Sequence, residues 1–316
     1  MKNRSVGIIG SGAVGAYYGA LLARAGIEVH FLVRSDYLHV KKHGFKVLSK
    51  EGDFDLPRVN VWPTVQAMPK VDLVLVATKT VSNQVLIGLL EQCTSESSEV
   101  IILQNGLGVE AELSKALPGR RFFGGLCFLC STRIAPGVIQ HHDYGLIKLA
   151  EYRLNESEGI ISDSLQDLGS FLMSHGLEIE LCDGLSKARW QKLVWNIPFN
   201  GLCTVLRCST DKIVASELGR NLAHDLMLEV QRGAAACGVV ISDVFLDQMM
   251  QITIDMDAYK PSMLLDFEAS RLMEVEDIYW RPLAAVKHSG INLPKIQLMA
   301  QQLNLLNDSI IESNKD

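Results

Sequence analysis

The 316-residue chain has no strong charge of either sign. Its 30 Lys and Arg stand against 36 Asp and Glu, a formal net charge of −6, and the two signs are interspersed. Without a basic stripe, a nucleic-acid partner is not expected, whereas a small anion needs only local charge. No apolar run approaches the length of a bilayer span, so no membrane partner is expected either. The first apolar run is cut by Gly7 and Gly10 and lacks a small-residue cleavage site, so it does not read as a signal peptide. Cysteine is sparse and odd in number: the seven, at 93, 127, 130, 182, 203, 208 and 237, lie mostly inside apolar segments. That usage suits reduced, buried thiols of a cytoplasmic protein rather than a disulfide framework. Cys127 and Cys130 are spaced C-x-x-C, but no second pair stands at zinc-ribbon distance, so no metal is expected. Internal repeats, low-complexity tracts and long linkers are also missing.

What is present is enough chain for two domains. Through the first 180 or so residues, short apolar runs ("SVGIIG", "EVHFLV", "DLVLVA", "EVIIL", "FFGGLCF") alternate with helical patterns, which argues for an α/β domain built on a parallel sheet. After Ser131, Ala135-Pro136-Gly137 and Asp143-Tyr144-Gly145 punctuate short alternating runs that read as added antiparallel strands. A helix over 158–175 stopped by Gly176, and a strand in "LEIELCD", complete this part. Beyond Gly184 the strand signals fade. Amphipathic patterns over 187–199, 215–237, 242–256, 262–289 and 294–306 predict a mostly helical second domain, so the chain divides into 1–184 and 185–316.

Gly10-Ser11-Gly12-Ala13-Val14-Gly15 has G-x-G-x-x-G spacing between a strand and a small-residue helix. The glycines permit a tight turn, close approach of a pyrophosphate and close helix–strand packing, and the helix N-terminus then faces the anion. A dinucleotide cofactor follows. The second strand ends not in an acid but in Arg34, whose guanidinium suits a ribose 2′-phosphate where a carboxylate would repel it. The expected cofactor is therefore NADP(H), with Asp36 as a residue able to take the ribose and tip the preference toward NAD. Lys79 and Asn105 follow the next two predicted strands, at the carboxyl ends where open α/β sheets bind ligands. A solvated lysine and a plain Asn-Gly turn are the bland alternatives.

In "KARWQKLVWNIPFNGLCTV", Lys192, Asn196 and Asn200 recur every four residues and form a polar stripe on a helix, surrounded by the apolar Leu193, Val194, Trp195, Ile197 and Phe199. Amides in such surroundings are costly to bury unless they bond backbone or a polar ligand. Pro198 is expected to bend this helix.

These segments, with "VRS", "ATK", "QNG" and "PSMLLDFEASRLMEVEDI" in the same order, resemble the ketopantoate reductase family over nearly the whole chain. The resemblance implies an N-terminal Rossmann domain, a helical C-terminal domain and NADPH-dependent reduction of a small 2-oxo acid. It implies that Gly10, Ser11, Gly12, Ala13, Val14 and Gly15 hold the pyrophosphate, Arg34 the 2′-phosphate, and that Lys79 lies near the ribose. By the same resemblance Asn105 touches cofactor and substrate, Lys192 is the proton donor, Glu274 anchors it, and Asn196, Asn200 and Ser262 hold the substrate. Two departures stand out: Tyr279-Trp280 replaces the family's Asn-Gly pair, and Ser209-Thr210 falls where a further asparagine is usual. Reduction of ketopantoate to (R)-pantoate is the leading reading; another 2-oxo or 3-hydroxy acid substrate, and a non-catalytic NADP(H) sensor, are the alternatives. The oligomeric state stays open, a homodimer included.

Overall fold

The computed structural model describes residues 4–79, 83–154 and 159–313. The chain divides into two compact units, Met1–Gln104 with Gly108–Leu185, and Asn105–Leu107 with Ser186–Asp316. The short segment 105–107 thus belongs with the helical unit, although its neighbours on both sides belong to the sheet.

The first unit holds one sheet of β1 (Val6–Ile9), β2 (Val29–Leu32), β3 (Phe45–Ser49), β4 (Phe54–Leu56), β5 (Asn60–Trp62), β6 (Val71–Val76), β7 (Thr94–Ile102), β8 (Arg121–Ala135), β9 (Val138–Glu151) and β10 (Ile179–Leu181). Their order is β4-β3-β9-β8-β7-β6-β1-β2-β5, with β10 beside β9. From β8 through β5 every pairing is parallel. The cause is local: β1 and β2 are buried at every residue and are followed by helices, and parallel strands need covered faces and crossover connections. Chain order reverses at β1, which has β2 on one side and β6 on the other, so the carboxyl end of β1 is a topological switch point.

The helices here are α1 (Ala13–Arg24), α2 (Tyr37–His43), α3 (Asn83–Cys93), α4 (Val109–Ala116) and α5 (Asp163–Ser174). Small residues and two tyrosines of α1 (Ala16, Tyr17, Tyr18, Ala20) share a core with β1, β3 and β9. The far side of the sheet packs through Ile9, Val74, Val76, Val100 and Ile102 on α3 and α4.

Three expectations for this unit are corrected. The runs around Ser131 are not short separate strands: β8 is one 15-residue strand, parallel to β7 at Arg121–Gly124 and antiparallel to β9 from Phe123 to Ala135. Asp143-Tyr144-Gly145 does not end a strand either. It is a bulge inside β9, where register shifts and Tyr144 takes φ 59°, the extra twist absorbed without breaking the pairing. The helix expected from 158 begins at Asp163, because the Ser162 hydroxyl accepts from the Leu165 amide and caps it; Glu158 itself lies outside the described residues.

The second unit contains α6 (Leu185–Leu206, its first residue being the last of the sheet unit), α7 (Thr210–Ala215), α8 (Glu217–Ala236), α9 (Asp243–Asp255), α10 (Ser262–Glu268), α11 (Arg281–Ala285) and α12 (Pro294–Ser313). Its core is formed by Trp190, Leu193, Ile197, Phe199, Met227, Val230, Tyr279, Ile296 and Leu303 among others. The pattern over 262–289 is not one helix. It stops after Glu268, where Ser270 adopts φ 51°, resumes as a π-helical turn over Glu276–Trp280 and continues into α11. The Arg271 amide turning back to the Asp266 carbonyl, with its guanidinium on the Asp266 carboxylate, closes the first piece. The pattern over 215–237 likewise begins only at Glu217, because Ser216 caps α8 by accepting from the Gly219 amide.

Candidate active site

The sheet unit carries the glycine loop. Gly10 takes φ +101°, and a Cβ there would lie 2.3 Å from the Thr78 amide nitrogen, so the turn leaving β1 requires glycine. Gly15 lets α1 approach, since a Cβ would meet the Gly10 carbonyl oxygen at 2.2 Å. Above Gly12 the space is open to 4 Å, and Gly12 caps α1 without any side-chain bond to the first-turn amides of Ala13 and Val14. The Ser11 hydroxyl ties the loop to β2 by donating to the Leu32 carbonyl at 3.0 Å. An open backbone approach at a helix start is what a pyrophosphate needs, and these residues can hold one.

Arg34 is exposed just beyond β2. Asp36 is not available as a simple ribose ligand: its Oδ2 accepts from Arg133 Nη1 at 2.7 Å and its Oδ1 from the Ser35 hydroxyl at 3.0 Å. No local spacing in the sequence marks Arg133, which lies near the end of β8. Lys79 lies exposed after β6. Beside it, the Thr78 hydroxyl accepts from Gln104 Nε2 at 3.3 Å, which joins the ends of β6 and β7.

The helical unit carries the other candidates. Lys192 is half-buried on α6, while Asn196 and Asn200 are buried on the same helix at 7% and 2% exposure. Asn200 accepts from the Met263 amide at 3.4 Å, which fixes the first turn of α10 and with it Ser262, whose side chain is exposed. α6 runs unbroken through Pro198, which removes the amide that the Val194 carbonyl would otherwise accept from. At this weak point the fully buried Tyr279 inserts: its hydroxyl donates to the Ile197 carbonyl at 2.9 Å, and burial holds its ionisation well above the ordinary value. Tyr279, a departure from the family pattern, therefore serves the core under the polar stripe. Thr210, the other departure, is also buried and bonds the Tyr259 backbone from both its amide and its hydroxyl.

Glu274 lies in the break between α10 and the π turn, and accepts from Asn105 Nδ2 at 3.2 Å. The segment 105–107 is held at two further points. Gly106, at φ +96°, abuts the Asp277 backbone so closely that a Cβ would sit 2.4 Å from its carbonyl oxygen, and Arg281 donates to the Leu107 carbonyl at 3.2 Å. The buried Asp277 pairs with Arg281 at 2.7 Å. The sequence pointed to Asn105 and Glu274 separately; the structure brings them together, and Asp277 and Arg281 are the clamp it adds.

Cys127 and Cys130 stand on β8 opposite Ile147 and Asp143 across the ladder. Among the described residues no group of His, Cys, Asp or Glu is placed to hold a metal, and no helix is long and apolar enough to cross a membrane.

Together these features define an α/β protein with a dinucleotide-type glycine loop and an appended helical unit bearing a Lys/Asn stripe. The family model described as "Ketopantoate reductase PanE/ApbA" matches residues 6–153, and that for "Ketopantoate reductase PanE/ApbA C terminal" matches 185–307. The chain is 45% identical to a 2-dehydropantoate 2-reductase of Nostoc sp. over 97% of its own length and 96% of the relative's. Among solved structures, the 2-dehydropantoate 2-reductase of Geobacter metallireducens GS-15 superposes with a TM-score of 0.90 at 39% identity, covering 95% of this chain and 99% of that one. The enzyme of the same description from Methylococcus capsulatus gives 0.86 at 31% identity, covering 97% of each. The chain belongs to the ketopantoate reductase family.

Proposed function

We propose that this protein reduces 2-dehydropantoate to (R)-pantoate with NADPH, as a cytoplasmic enzyme of pantothenate formation. The observation that carries the reading is the Lys192, Asn196, Asn200 stripe on a helix buried at most other positions, in a chain 45% identical end to end to a 2-dehydropantoate 2-reductase. The cofactor, when bound, supplies hydride to the keto carbon. The chain supplies the rest. Gly10, Gly12 and Gly15 with the first-turn amides of α1 bind the pyrophosphate, Arg34 binds the 2′-phosphate and Lys79 the adjoining ribose. Asn196, Asn200 and Ser262 orient the carboxylate and hydroxyl of the acid, and Asn105 aligns the carbonyl. Lys192, as an ammonium, donates its proton to the oxygen that gains charge, and Glu274, steadied by Asn105, keeps that ammonium in place.

Tyr279-Trp280 suggested a different acid. The Tyr279 side chain is fully buried and bonded to the Ile197 carbonyl, so it gives no reason for another substrate. The test is NADPH oxidation against a panel of 2-oxo acids. The reading predicts the highest kcat/KM for 2-dehydropantoate; a larger value for an unbranched or aromatic 2-oxo acid would contradict it.

A further inference from the structure

The structure holds a contradiction that Arg34 alone does not resolve. Two positions after the arginine assigned to a 2′-phosphate stands Asp36, a carboxylate that repels such a phosphate and accepts readily from a free 2′-hydroxyl. Left to itself it would draw the site toward NADH. Asp36 also stands at the N-cap of α2, where an aspartate side chain ordinarily bonds the first-turn amides, yet it makes no such bond. Both oxygens are directed elsewhere, Oδ1 to the Ser35 hydroxyl and Oδ2 to Arg133 Nη1, and the carboxylate is only 13% exposed.

Arg133 reaches Asp36 because of how the sheet is built. β8 outlasts its parallel partner by eleven residues beyond Gly124, and it pairs with β9, which in turn pairs with β3. The β8–β9 turn at Gly137 then packs on the end of α2: a Cβ on Gly137 would lie 2.8 Å from the Gly44 carbonyl oxygen and 3.4 Å from His39. The ion pair is formed by residues 97 positions apart.

We propose that Arg133 is a specificity-determining residue for NADP(H) over NAD(H) and acts through Asp36. It cancels the Asp36 charge and occupies the oxygen that a ribose 2′-hydroxyl would otherwise use. The inference rests on the NADPH reading above. Its effect is on cofactor choice rather than on the chemical step, so it is read by binding alone.

The test is titration of the cofactor-free protein with NADPH and with NADH, followed by nicotinamide fluorescence, for wild type, Arg133→Met, Asp36→Asn and the double variant. Wild type should bind NADPH more tightly. Arg133→Met should lower the ratio of the two dissociation constants (NADH over NADPH) about tenfold, the scale of one uncompensated charge beside a phosphate, with NADH unchanged or tighter. Asp36→Asn should leave the ratio unchanged or raise it, and adding it to Arg133→Met should restore the ratio to within about twofold of wild type. An Arg133 that merely pins the β8–β9 turn would weaken both cofactors equally, and the double variant would not recover. Either result overturns the inference, as does a ratio that falls on Asp36→Asn. A wild-type ratio near one overturns the NADPH reading itself and this inference with it, whereas a high wild-type ratio untouched by Arg133→Met overturns this inference alone.

Discussion

Asn105 donates from its side-chain amide to the carboxylate of Glu274, 3.2 Å away and 169 positions later in the chain. This one bond ties the segment that follows the last central strand to the turn that follows α10. It gives Glu274 a fixed orientation in a stretch with no regular structure of its own.

Asn105→Ala removes one donor to the Glu274 carboxylate. kcat/KM for 2-dehydropantoate should fall about 10- to 100-fold, the value of one hydrogen bond to a charged group. Glu274→Gln, which keeps an acceptor, should lose less than Glu274→Ala. Steady-state kinetics check both, and equal losses in the two Glu274 variants would show that the retained acceptor contributes nothing and that the carboxylate charge alone matters there.

Tyr279→Phe deletes the hydroxyl that bonds the Ile197 carbonyl and should lower the free energy of unfolding by about 1 kcal/mol, measured in urea. Gly201→Ala should cost more, about 1–3 kcal/mol, because its Cβ would sit 2.7 Å from Met299 and 2.8 Å from the Tyr279 hydroxyl. An unchanged denaturation midpoint for both would remove the case for Tyr279 as a support of α6.

Arg34→Ala should weaken NADPH binding by about 1.5–3 kcal/mol while NADH barely changes, because only the former has a phosphate for the guanidinium. Calorimetric titration with both nucleotides decides it. Equal weakening would make Arg34 structural.

His30 is buried on β2, with Nδ1 accepting from the Trp62 indole at 3.1 Å and Nε2 at 3.2 Å from Glu28. Burial lowers its pKa below the ordinary histidine value, against the opposing pull of Glu28. The unfolded chain therefore binds the proton more readily than the folded one. The stabilisation is full above the ordinary value, 6.5, and is lost as pH falls through the depressed folded value. Unfolding midpoints should decline below that pH, and His30→Gln should flatten the decline; a parallel decline in the variant would assign the pH response to another group.

The alternating strands, the glycine loop and the stripe on α6 were legible because each is local: a short apolar run, a fixed spacing, a four-residue period. The breaks were less so. Residues 262–289 keep a helical period across a gap that only Ser270 at φ 51° and the Asp266–Arg271 contacts create, and a side-chain period does not record one left-handed residue. Asp143-Tyr144-Gly145 has turn chemistry, but the ladder on both sides outweighs it and leaves a bulge. Of the site, Asn105 and Glu274 were visible only as separate signals. Arg133 was not visible at all, because an ion pair across 97 residues depends on the course of β8 rather than on any neighbouring residue.

Lys192→Met bears most directly on the central claim, since it keeps the aliphatic stem and removes the proton and the charge. The measurement is single-turnover NADPH oxidation with saturating 2-dehydropantoate, alongside NADPH titration of the same variant. General-acid catalysis contributes about 10²- to 10⁴-fold, so the rate should fall by that order while the NADPH dissociation constant stays within about twofold. Near-normal oxidation by the variant would contradict the assignment of Lys192 as proton donor, and absence of NADPH oxidation by the wild-type protein would contradict the reductase reading altogether.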